Sequence, residues 1–208
     1  NVGDIKPLEY NIHMFMDMAY KAEPFKDPYY SKTHLDKWST DVFGPDRSKQ
    51  ISDILWSYYA LAFERKPEFM GWSQTEPTTQ TNLSAYNHFY YGDEAQKRME
   101  QYGKLEKAVK ELASKMPEKD QDAFFQLVYY PVTGASLMNK KFLYRDKSIL
   151  YARQNRASAA DYTELSRQAY DEIKKETDHY NNKLANGKWK YMMSMEPRNL
   201  PVYLAPVL

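Results

Sequence analysis

The sequence contains no cysteine, which excludes disulfides, thiolate nucleophiles and cysteine-ligated metals while leaving the compartment open. Glycine is scarce, at 7 of 208 residues, about half its usual share of roughly 7%. Tight turns are therefore few, and long helices are favoured over a many-stranded barrel or sandwich. A surplus of charge is also missing: 29 Lys+Arg stand against 28 Asp+Glu, a net charge of +1. Affinity for a phosphate backbone comes from excess Lys and Arg, so a nucleic-acid partner is not expected. No stretch reaches the run of about 18 apolar residues that a membrane-spanning helix needs. Aromatic residues, in contrast, are abundant, with 19 Tyr, 9 Phe and 4 Trp. At roughly 150 residues per domain, the length suits one domain, or one domain with a piece of another.

Apolar spacing predicts a mainly α-helical chain. Ile12, Phe15, Met16 and Ala19 share a face over residues 9–22. Residues 23–33, with Pro24 and Pro28, read as irregular. A short amphipathic piece with Leu35, Trp38 and Val42 stops at Gly44-Pro45, and Ile51, Ile54, Leu55, Tyr58 and Leu61 then mark a helix ending at Lys66-Pro67. Residues 67–85 form the longest polar connection, the kind of loop that tends to be functional. Met99, Tyr102, Leu105, Val109, Leu112 and Met116 form the next stripe, and Pro117 suits the first turn of the helix after it. Pro131 and Gly134 are expected to kink or break that helix before residues 137–152. Ser158, with Asp161 three residues on, reads as an N-cap, followed by Tyr162, Leu165, Ala169, Ile173, Tyr180 and Leu184. Residues 196–208 look extended. About five helices joined mostly by short loops predict an antiparallel bundle over 35–195.

Residues 1–7 carry a strand-like signal ended by Pro7. A lone strand cannot pair its own backbone groups, and the chain opens without an initiator Met or a signal-peptide pattern. Residues 1–22 are accordingly expected to be a piece of a larger domain.

Few constellations suggest chemistry. Glu176 and His179 have the Glu-x-x-His spacing of di-iron bundles, but the other histidines, His13, His34 and His88, lack a matching Glu, so no metal ligand set and no cofactor is expected. Asp4 follows Gly3 at the end of the strand-like segment. Such a carboxylate either lines an active site at the mouth of an α/β barrel or caps the helix after Pro7; residues alone favour the cap. Helical spacing favours packing over sugar stacking for Tyr58-Tyr59, Tyr90-Tyr91 and Tyr129-Tyr130. Trp72, in the long loop beside Glu76, is harder to place in a core. Asn82-Leu83-Ser84 is a glycosylation sequon by pattern.

Several motifs in order resemble glycoside hydrolase family 115, the xylan α-glucuronidases: Asn1–Pro7, Arg65-Lys-Pro-Glu68, Asp122–Pro131, Leu150–Gln154, Ser158–Asp161, Tyr180-Asn181 and Gly187–Met193. The resemblance spans essentially the whole chain. It implies that residues 1–22 are the end of a (β/α)8 catalytic barrel, 35–195 a helical-bundle domain, and 196–208 an extension toward a further domain. It implies removal of (4-O-methyl)glucuronic acid from xylan by inverting hydrolysis, with most catalytic carboxylates elsewhere and this stretch alone not catalytic. On this resemblance Asp4 becomes the candidate catalytic residue, and Asn1, Lys6, Trp72 and Glu76 the candidate substrate-binding residues, Lys6 facing the substrate carboxylate. The chain departs from the family where Ala62 replaces a frequent Asn and Tyr191 a frequent His. A glucuronoxylan-like polysaccharide partner, a homodimer through the helical domain, and an extracellular or periplasmic location are further implications. The competing expectation is a stand-alone helical interaction module without catalytic activity.

Overall fold

The computed structural model describes residues 8–71 and 81–208. The strand expected over residues 1–7 lies outside these. Seven α-helices follow in order: α1 (Glu9–Tyr20), α2 (Tyr30–Phe43), α3 (Pro45–Glu64), α4 (Glu94–Ala113), α5 (Glu118–Phe124), α6 (Tyr130–Arg153) and α7 (Ala159–Asn182). Among the described residues there is no strand, and no helix is long and apolar enough to cross a membrane.

The pairing is antiparallel, as the short connections require. Along α6 and α7, Ser148 meets Thr163, the Lys141 carbonyl accepts from Ser166, and Tyr130 meets Thr177. One sequence number falls as the other rises. Between α4 and α6 the same order holds, Arg98 donating to Asn139 and Ser136 to Glu106. One apolar cluster (Leu35, Trp38, Ile51, Leu55, Val109, Leu112, Phe124, Val128 and Val132) fills one end of the bundle. Leu61, Tyr102 and Ala135 form a small cluster of their own. A further cluster contains Met70, Ala95, Met99, Phe142, Leu143 and Val202.

Several boundaries differ from the sequence expectation for physical reasons. The stretch 23–33 is partly ordered: a 3₁₀ turn over Glu23–Lys26 precedes α2, which begins at Tyr30. Gly44 joins α2 to α3 with φ of 79°, and Pro45 then opens α3 where its missing N–H costs nothing. The break expected at Pro131 does not occur. One turn of π-helix over Phe125–Tyr129, closed by the Tyr130 N–H on the Phe125 carbonyl, joins α5 to α6. Pro131 then sits in the first turn of α6, where a proline is tolerated. Ser158 holds the N-cap position of α7 but makes no side-chain cap bond. Residues 196–208 do not simply extend: a 3₁₀ turn covers Pro197–Asn199, and Val202 is fully buried. Tyr90 and Tyr91 are not packed; they lie exposed in the turn before α4.

A polar knot inside the bundle sets its acid response. The buried Glu106 carboxylate accepts from Lys110 Nζ and Lys140 Nζ at 2.6 Å each, and from Ser136 Oγ at 2.7 Å. Burial alone would raise its pKa, but these donors outweigh it and hold it at about 2, against an ordinary 4.5. A depressed carboxyl pKa contributes stability that is complete above the ordinary value and is lost as pH falls toward about 2. Glu106→Gln should therefore lower stability at neutral pH by about 2 kcal/mol, allowing for solvent screening. Its denaturant midpoint should also fall less steeply than wild type between pH 4.5 and about 2, as measured by urea unfolding across that range.

Candidate functional site

A cleft of about 660 Å³ opens between α1, α3, α6, α7 and the C-terminal segment, a size usual for a small-ligand site. Leu8, Tyr10 and Asn11 line its α1 side; Tyr58, Tyr59 and Ala62 come from α3; Lys66, Pro67 and Glu68 from the turn after it. Tyr130, Pro131 and Lys141 of α6, Thr177 of α7, and Met193 close the rest.

Each wall is held by a specific bond. The α3 carbonyl end, which helical geometry leaves unpaired, is met by the buried guanidinium of Arg98. Arg98 donates to the Arg65 carbonyl at 2.7 Å, the Leu61 carbonyl at 3.3 Å, and Asn139 Oδ1 at 2.6 Å. Arg65 in turn donates to the Phe69 carbonyl at 2.6 and 3.2 Å, closing the 3₁₀ turn Pro67–Phe69 that presents Lys66 and Glu68. Across the cleft, Asn181 grips the backbone of Met193 with both ends of its amide: Nδ2 donates to the carbonyl at 2.8 Å and Oδ1 accepts from the N–H at 2.9 Å. Gln126 Nε2 donates to Glu9 Oε1, fixing the first turn of α1.

Tyrosines line the cleft, and burial governs their acidity. Burial, reinforced by Asp36, pushes Tyr10 up to about 12. Burial also raises Tyr58, Tyr59 and Tyr130, so all four remain neutral phenols that offer hydroxyls and ring faces rather than charge. Tyr59 donates to Asn11 Oδ1 at 3.3 Å. Lys141 is a buried lysine on the same cleft: Nζ donates to the Val202 carbonyl at 2.8 Å and to the Leu204 carbonyl at 2.5 Å, while burial, then Arg145, lower its pKa to about 7. Two of its donors go to the C-terminal segment, so Lys141 shapes the cleft by anchoring residues 202–204.

The candidate residues Asn1, Asp4, Lys6, Trp72 and Glu76 all lie outside the described residues. Leu8, the first described residue, is on the cleft wall. Ala62 lines the cleft, whereas Tyr191 is 86% exposed. Glu176 and His179 are engaged separately: Glu176 accepts from the Tyr129 hydroxyl at 3.1 Å, and the His179 ring packs on Phe125 at 4.4 Å. In the sequon segment, the Ser84 N–H donates to Asp146 Oδ2 at 2.7 Å. Sequence reasoning about sites missed Lys66, Glu68, Gln126, Lys141 and Asn181. All but Lys141 sit in motifs already singled out for resemblance, which was the available signal; one lysine among the several charged residues of α6 leaves none.

Lys141→Met should release the C-terminal segment. Amide hydrogen exchange of residues 202–204 is expected to rise by about tenfold or more while the middle of α7 keeps its protection.

Two comparisons with known proteins agree on the family. Residues 1–69 match the family model described as glycosyl hydrolase family 115. The whole chain superimposes on part of a solved family 115 4-O-methyl-α-glucuronidase, described as specific for decorated arabinogalactans, with a TM-score of 0.79 and 37% identity. The match covers 100% of this chain and 26% of that one, so the chain spans about a quarter of that enzyme's length. A search of curated protein sequences gives no match. A family match at one end and a full-length structural match to the helical part of a family enzyme make this chain a member of glycoside hydrolase family 115.

Proposed function

We propose that this chain is the helical domain of an α-glucuronidase and that its cleft forms one wall of the substrate-binding region. One observation carries the reading. Motifs far apart in sequence meet at the cleft: Lys66–Glu68, Leu127, Tyr130, Pro131 and Met193 all line it. Gln126 and Asn181, from the same motifs, hold its walls through Glu9 and Met193. The segment carrying Asp4 enters at Leu8, on the same wall, and four residues of chain reach at most about 14 Å.

In this reading the enzyme removes (4-O-methyl)glucuronic acid branches from a decorated polysaccharide. Neutral tyrosines and the Lys66–Glu68 turn offer ring faces and hydrogen bonds to sugar hydroxyls, while Lys6 faces the uronate. Hydrolysis is inverting, which needs two carboxyl groups about 6.5–9.5 Å apart, one protonating the leaving oxygen and one activating water. Asp4 supplies one of them or binds substrate beside them; the rest lie outside this chain. Chain pairing through the helical domain is supported by large exposed apolar side chains, Phe63 at 94% and Tyr20 at 93%. A polymeric substrate too large to enter cells favours a site outside the cytoplasm.

The test compares the 208-residue chain with the enzyme that contains it, on glucuronoxylan and on glucuronidated arabinogalactan. The chain alone should release no uronic acid and the enzyme should release it. Asp4→Asn in the enzyme should lower kcat by about 10² or more. Turnover by the chain alone, or full activity of Asp4→Asn, would overturn the proposal.

A further inference from the structure

We propose that His13, Asp17 and His34 form a binding site for one divalent transition-metal ion, of the class of zinc, that ties α1 to α2. The proposal is independent of the glycosidase reading and concerns a cluster that does not line the cleft.

His13 and Asp17 are four residues apart on α1, so they share one face, and His34 comes to them from α2. His13 Nε2 lies 3.2 Å and His34 Nε2 2.9 Å from the same oxygen, Asp17 Oδ2. One donor atom from each of the three side chains falls within 4.8 Å of the other two. An ion held tetrahedrally at about 2.0–2.1 Å sets its ligands about 3.3 Å apart. The side chains are therefore already near coordinating separations, and small rotations bring them round a common centre.

The support behind the ligands has the form that metal-binding imidazoles use. His34 is buried, at 6% exposure, and its ring is fenced by Tyr10 at 5.7 Å, Phe25 at 5.7 Å and Tyr30 at 6.2 Å. Its Nδ1 lies 3.4 Å from the Tyr10 hydroxyl oxygen, which also has the Ser31 carbonyl at 3.5 Å and Met14 Sδ at 3.6 Å as acceptors for its own proton. Without an ion, the Nε2 proton faces the Asp17 carboxylate at 2.9 Å; an ion in its place shifts the proton to Nδ1, where the Tyr10 hydroxyl can accept it, and takes the Nε2 lone pair. His13 and Asp17 are half exposed, giving an entry path and room for a water at the fourth position. Two imidazoles and one carboxylate are a borderline donor set, suited to zinc and not to calcium or magnesium.

The consequence follows from how little holds α1. Tyr10 is its one buried residue, yet Leu8 and Asn11 of this helix line the cleft. An ion bridging α1 to α2 would hold that wall in place.

The test uses the 208-residue chain, stripped with chelator and titrated with Zn²⁺ alone by calorimetry. One ion should bind per chain with a Kd of about 10 µM or tighter, and Co²⁺ should give the visible absorption of a low-symmetry four-coordinate site. His13→Ala and Asp17→Asn, both at exposed positions, should each weaken binding by about 100-fold or more with unchanged far-ultraviolet circular dichroism. Zn²⁺ should raise the urea midpoint of wild type and not of these variants. A weaker Kd in the wild type would overturn the proposal, leaving a hydrogen-bonded His–Asp–His group. A Kd unaffected by both substitutions would overturn it too, because the ion would then sit elsewhere.

Discussion

The guanidinium of Arg98 is the interaction on which the cleft depends. A charge this deeply buried, at 2% exposure, is tolerated only when its donors are matched, and here they are matched by two carbonyls at the end of α3, by the Asn139 side chain, and by the Glu64 carboxylate at 3.4 Å. It accepts no alternative partner set without moving α3, because it takes the Leu61 and Arg65 carbonyls together with Asn139 of α6. The rings of Tyr86 and Tyr102 flank it at 4.8 and 5.1 Å. One side chain of α4 thus fixes the end of α3, its distance from α6, and the direction of the turn that follows. That turn carries Lys66, Pro67 and Glu68 to the cleft.

The same device recurs with smaller groups. Asn181 fixes the backbone that brings Met193 over the opening, and Gln126 fixes the entry to α1. Lys141 anchors the last segment on α6. Apolar packing would allow the helices to slide by a fraction of a turn; a polar side chain bonded to a named carbonyl does not. A bundle built this way has a defined concave face, the one proposed above as a wall for a sugar polymer. The chain corresponds to about a quarter of the related enzyme.

Much of the bundle was legible in the sequence. The stripes of α3, α4 and α7 follow helical spacing closely enough to locate each helix, and Gly44-Pro45 marks the α2–α3 joint. The start of α2 was hidden because Pro24 and Pro28 lie before it. The continuity of α5 and α6 was hidden because a proline normally breaks a helix, and the π-turn that rescues it has no local signature. The site was less legible. The cleft is assembled from six separate stretches of chain, so no window of sequence contains it. The role proposed for Asp4 rests on resemblance, and with Trp72 it falls outside the described residues. The His13–Asp17 spacing could be read from α1 alone, whereas His34 joins it only through the α1–α2 packing.

The turn held by Arg98 is proposed to belong to the substrate-binding wall. This placement is tested most directly by kcat/KM for uronic acid release by the containing enzyme with Lys66→Ala and Glu68→Gln combined. A fall of about tenfold or more is expected, with the melting temperature unchanged; a kcat/KM equal to wild type would show that the turn lies outside the substrate-binding wall.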